Sequence, residues 1–73
     1  MIQFTAIKIF KEGEWFDTSK NNTAKGTIVL INPMRVSSVT QEFLLNGDPA
    51  CTITMTNGVQ FMVNVDIADV KGF

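Results

Sequence analysis

The stretch TITMTNGVQFMV, Thr52 to Val63, decides how this chain folds. Two alternating runs flank Asn57-Gly58, a strong hairpin signal because both residues tolerate the positive φ angles of a tight turn. Read as a two-residue loop, Asn57-Gly58 sets Thr56 opposite Val59 and Met55 opposite Gln60, and so on outward. One face then carries Cys51, Ile53, Met55 and Met62, with Gln60 and Asn64. The other carries Val59, Phe61, Val63 and Val65, opposed by Ala50, Thr52, Thr54 and Thr56. A hairpin with one solvated face should show a clearly polar row, and this register shows none. The Val/Phe row is the more apolar and is the expected core. The Cys/Met row then needs a cover, supplied by the chain's own termini or by a second subunit.

Upstream, Ile2 to Lys11 is rich in Ile, Phe and Thr and reads as a strand, buried on both faces at its middle or bulged near Ala6. Glu12 to Gly26 reads as a long polar loop with Trp15-Phe16 as an apolar island, its tail from Asp17 onward a loop by composition. Thr27 to Asn32 is a short β-branched strand stopped by Pro33, and Asn32-Pro33-Met34-Arg35 is a turn. A further strand in VSSVTQEFLL ends at Asn46-Gly47-Asp48-Pro49, the second strong turn signal. After the hairpin, Asp66 can cap a last turn in which Ile67 and Val70 are spaced i, i+3, with Gly72 as its stop. The expected fold is all-β: one domain over residues 1–73, a mostly antiparallel five-stranded sheet or half-open barrel with a short C-terminal helical turn.

Composition removes several function classes. The sequence has no histidine, no tyrosine and a single cysteine, so a disulfide within the chain and a His/Cys zinc site are both excluded. The commonest side chains for general acid–base work near neutral pH are absent as well. Cys51, a strand cysteine among Thr and Ile with no activating base in sight, reads as a small core residue. Glu12, Glu14 and Asp17 fit no cation-loop spacing, and NTAKGT lacks the order of Gly and Lys that a phosphate loop requires. No cofactor and no catalytic residue are expected. The N-terminal residues lack a continuous apolar core of the kind a secretion signal has, and no run reaches membrane-spanning length, so a cytoplasmic or virion protein without membrane insertion is expected.

Net charge is −1, with no basic block. Lys8, Lys11, Lys20 and Lys25, with Trp15 available for stacking, are the candidates for a nucleic-acid surface. Interleaved Glu12, Glu14 and Asp17 would repel phosphate, which makes this the second reading. The first is a non-enzymatic interaction module, binding itself as a homo-oligomer or docking on a larger protein. Its candidate interface is the uncovered row Cys51, Ile53, Met55 and Met62 with the terminal Ile67, Val70 and Phe73.

INPMRVSSV followed by ACTITMTNGVQFMVNVDIADV resembles the small FlbD-like family encoded in bacterial flagellar operons, over about residues 28–70. The resemblance rests on Asn32-Pro33, Asn57-Gly58 and Asp69-Val70. It implies a non-catalytic, cytoplasmic accessory role in motility and supplies no catalytic residues. The chain departs from that family in its Glu12 to Gly26 insertion and in having Val65-Asp66 where Glu-Ser is usual. Short phage proteins are a further source of such β modules.

Overall fold

A computed structural model describes residues 1–18 and 26–70. It contains β1 (Ile2–Lys11), β2 (Glu14–Asp17), β3 (Thr27–Ile31), β4 (Val36–Phe43), β5 (Pro49–Met55) and β6 (Gln60–Val63), with 3-10 turns at Pro33–Arg35 and Ile67–Asp69. The strands form one unclosed sheet in the order β2–β1–β6–β5–β4, and β3 also pairs with β1. All pairings are antiparallel. The all-β expectation holds, with one strand more than the sequence suggested. Glu12 (φ 54°) and Gly13 (φ 80°) make a tight turn inside the expected loop, and it returns Trp15 and Phe16 against Phe10 and Ile9 as β2. Among the described residues, no helix is long and apolar enough to cross a membrane.

The β5–β6 register differs by one residue from the two-residue reading. Met55 N–H donates to the Val59 carbonyl at 2.8 Å, and Gly58 N–H donates to Met55 at 3.0 Å. The loop is therefore Thr56-Asn57-Gly58, with Gly58 at φ 90° and the Asn57 Oδ1 accepting from Val59 N–H at 3.0 Å. The β4–β5 loop Leu45-Asn46-Gly47 repeats the construction. There Leu44 N–H donates to Asp48, Gly47 N–H to Leu44, and Asn46 Oδ1 accepts from Asp48 N–H. In both loops Asn-Gly supplies the second and third residues rather than the whole turn.

That one-residue slip moves an entire row of side chains to the opposite face. Cys51 now opposes Val63 and Ile53 opposes Phe61, so the two apolar rows merge on one face. Thr52 with Met62 and Thr54 with Gln60 occupy the other. The uncovered Cys/Met face expected from the two-residue loop does not exist. Ile53 and Val63 are fully buried, while Val59 at the loop is only half-buried.

Two β-bulges extend the same core. In β1 the register to β6 shifts between Ala6 and Lys8, which leaves Ile7 unpaired there and lets Ala6 and Ile9 both face inward. In β4 it shifts between Val36 and Ser38, and Val36 and Val39 both pack inward. The core is Ala6, Ile31, Cys51, Ile53 and Val63, flanked by Phe4, Val29, Met55 and Phe61 among others. The C-terminal segment completes it. Asp66 caps the last 3-10 turn by accepting from Ala68 N–H at 3.0 Å, and Val65, Ile67 and Val70 pack on the cluster. The capping expected at Asp66 is present; Gly72 lies outside the described residues.

β2 and β3 share the edge of β1 opposite β6. Lys8 opposes Asp17 in β2, and Ala6 opposes Thr27 in β3. Thr18 and Gly26 both meet β1 at Ala6 and its neighbours. Thr18 N–H donates to Ile7 and Thr18 Oγ1 donates to Ala6, while Gly26 (φ 117°) lies so near Ala6 that a Cβ there would strike the Ala6 carbonyl oxygen. Only glycine takes that backbone angle without strain. Gly26→Ala is therefore expected to cost about 3 kcal/mol or more. Gly13→Ala, whose added carbon meets nothing within 4 Å, should cost about 1–2 kcal/mol. Urea unfolding of the two variants measures both, and equal losses would contradict the close approach at Ala6.

Candidate functional site

The expected interface residues do not form a surface. Cys51 and Ile53 are fully buried, and Met55, Ile67 and Val70 are half-buried against the same core. Met62 is half-buried on the opposite face, across from Thr52, and Phe73 lies outside the described residues. Val65, Ile67 and Val70 pack on the merged core that holds Cys51 and Ile53, so the question of a cover for a separate Cys/Met face does not arise.

Cys51 is closed off rather than activated. Its Sγ donates to the Val65 carbonyl at 3.1 Å. Burial pushes the thiol above its ordinary range, and the nearby Asp66 and Asp69 carboxylates push it further. Ionisation thus opposes the folded state. The stability it contributes is complete below the unfolded thiol's range and is lost as pH rises through the folded value. The native protein should resist a thiol reagent at pH 8 and react on unfolding. Its unfolding free energy should fall above about pH 8.5, with a slope that Cys51→Ala lessens. Reaction in the native state at the unfolded chain's rate would contradict this burial.

The nucleic-acid candidates are divided between faces. Lys8 and Lys11 stand three residues apart on β1 and point to opposite sides. Each has an acidic residue directly across the strand pair, Asp17 for Lys8 and Glu14 for Lys11. Trp15 packs on Phe10 with ring centroids 5.3 Å apart, and the Lys11 ammonium lies 5.7 Å from the centre of the Phe16 ring. The arm they form balances charge rather than collecting it. Lys20 and Lys25 lie outside the described residues.

Two features that the sequence reading did not select stand out instead. The first is β3, an edge strand. Ile28 and Leu30 are 64% and 63% exposed, while their alternates Val29 and Ile31 pack inward. Among the described residues β3 pairs only with β1. Thr27–Ile31 contains no charge, no proline and no bulge, the devices that usually blunt an edge. The opposite edge, β4, carries a bulge at Ser37 and a largely polar sequence, VSSVTQEF.

The second is a cavity of about 470 Å³ where the Pro33–Arg35 turn meets the β5–β6 loop. Met1, Leu30, Met55, Val59 and Phe61 give it apolar walls. Its polar side chains are Asn32, Arg35, Thr56 and Asn57, one of them cationic and none acidic. Thr56 N–H donates to the Arg35 carbonyl at 2.8 Å and ties the two walls together. A separate cavity of about 520 Å³ on the Lys8 and Met62 side is lined by the β4–β5 loop. Among the described residues no cluster of three or more His, Cys, Asp or Glu side chains is placed to hold a metal ion. No family model, curated protein or solved structure matches the chain.

The signal for β3 was present in TIVLI itself: apolar residues on both faces of a short strand imply either complete burial or an exposed apolar edge. Arg35 carried no sequence signal, because its position depends on where the β5–β6 loop falls.

Proposed function

We propose that this protein is a non-catalytic interaction module that self-associates through β3. The exposed, uncharged row of Ile28 and Leu30 on a strand edge that has no further partner among the described residues carries this reading. A strand edge offers unpaired backbone donors and acceptors, so an added strand gains hydrogen bonds as well as apolar contact. β3 is self-complementary in the antiparallel sense. Centred on Val29, a second copy sets Ile28 opposite its Leu30 and Thr27 opposite its Ile31. Such a two-fold contact is isologous and introduces no like-charge pair. The absence of histidine from the sequence and the burial of Cys51 support a role without chemistry.

A five-residue strand pair is a small contact, which places this association in the weak, concentration-dependent class. Sedimentation equilibrium from about ten micromolar to about one millimolar, spanning the weak-binding range, should show the chain's mass rising toward a dimer. The variant Ile28→Lys/Leu30→Lys puts charges on exposed positions and should stay monomeric with its fold intact. A monomeric wild type throughout, or a variant that associates equally well, would overturn the proposal.

A further inference from the structure

We propose that the cavity between the Pro33–Arg35 turn and the β5–β6 loop is a binding site for a small carboxylic acid with an apolar chain. Its volume of about 470 Å³ lies in the range of small-molecule sites, and most such sites combine apolar walls with a few placed polar groups. Two of the polar groups here are fixed by Asx turns. Asn32 Oδ1 accepts from Met34 N–H and Asn57 Oδ1 accepts from Val59 N–H, both at 3.0 Å. Each amide oxygen is thereby turned toward its own backbone. The two amide NH₂ groups have no partner among the described residues and remain as donors.

Arg35 adds a guanidinium, which is donor-only and permanently charged, and it has no ion pair among the described residues. With no Asp or Glu in the lining, the polar side chains of the cavity are two amides, the Thr56 hydroxyl and the Arg35 cation. A carboxylate is the matching head: acceptor-only, singly charged and suited to the planar guanidinium fork. Met55, Val59, Phe61, Leu30 and Met1 provide the surface for an alkyl or aryl body. The other cavity lacks this match, because its cation, Lys8, has Asp17 directly across the strand pair.

The test is a titration of the full chain with octanoate, followed by backbone amide NMR. Saturable shifts should centre on Arg35, Met55, Thr56 and Phe61. Hexanoate should bind about fifteenfold more weakly, since each buried methylene is worth about fourfold. Arg35→Gln, at an exposed position, should keep the spectrum of the folded core and lose about tenfold or more in affinity. Octylammonium should not bind. Absence of saturation by octanoate in the millimolar range, or equal binding of octanol, octylammonium and octanoate, would overturn the proposal. So would unchanged affinity in Arg35→Gln. Leu30 belongs to both surfaces, so the titration is run at about ten micromolar chain, the low end of the sedimentation series; saturation by octanoate there is separate from a rise in mass at higher concentration.

Discussion

The rest of the structure depends on the closure of one loop, Thr56-Asn57-Gly58. Gly58 takes a positive φ, Asn57 holds the Val59 N–H, and Met55 closes on Val59. This sets β5 against β6 one residue away from the register of a two-residue turn. The shift decides the composition of both sheet faces, because side chains alternate with a period of two. With the three-residue loop, Cys51, Ile53, Phe61 and Val63 lie on one side and make a single core. The two-residue loop would leave an apolar row exposed, at roughly 25 cal/mol for each Å² of apolar surface left in water. Local turn chemistry permits both loops; burial selects between them.

The two bulges follow from the same need. A regular strand through Ile2–Lys11 would turn Ile9 away from the face that Phe4 and Ala6 occupy. Leaving Ile7 unpaired against β6 restores Ile9 to that face, and Ser37 does the same for Val39 relative to Val36. Bulges also bend and twist the strands that carry them, and Val65, Ile67 and Val70 pack on the core that results.

Element type was legible in the sequence wherever composition and punctuation agreed. β1, β3, β4 and the hairpin strands, the Asn32-Pro33 turn and the Asp66 cap all follow from β-branched runs stopped by Pro, Gly or Asn. Apolar residues on both parities of β1 allowed either burial on both faces or a bulge near Ala6, and the register shift between Ala6 and Lys8 selects the bulge. β2 was hidden because Glu14 and Asp17 gave it a polar look, and its pairing depends on the Glu12-Gly13 turn. The hairpin register was not legible from Asn57-Gly58 alone, since the dipeptide serves at two positions of two different loops. Every interface residue inferred from that register moved with it. Cys51 and Ile53 became core, and the exposed apolar row appeared on β3 instead. The cavity beside Arg35 depends on the same loop, because Thr56 is the residue that meets the Arg35 carbonyl.

The central claim is therefore a register, and cross-strand Hα–Hα contacts in the NMR spectrum measure it directly. Close Hα pairs occur at non-hydrogen-bonded positions of an antiparallel ladder. Starting from the hydrogen-bonded pair Met55 and Val59, those positions are Thr54 with Gln60 and Thr52 with Met62. Strong nuclear Overhauser effects within these two pairs are the expected result. Strong effects between Met55 and Gln60 and between Ile53 and Met62 would place the strands in the two-residue register and contradict the account.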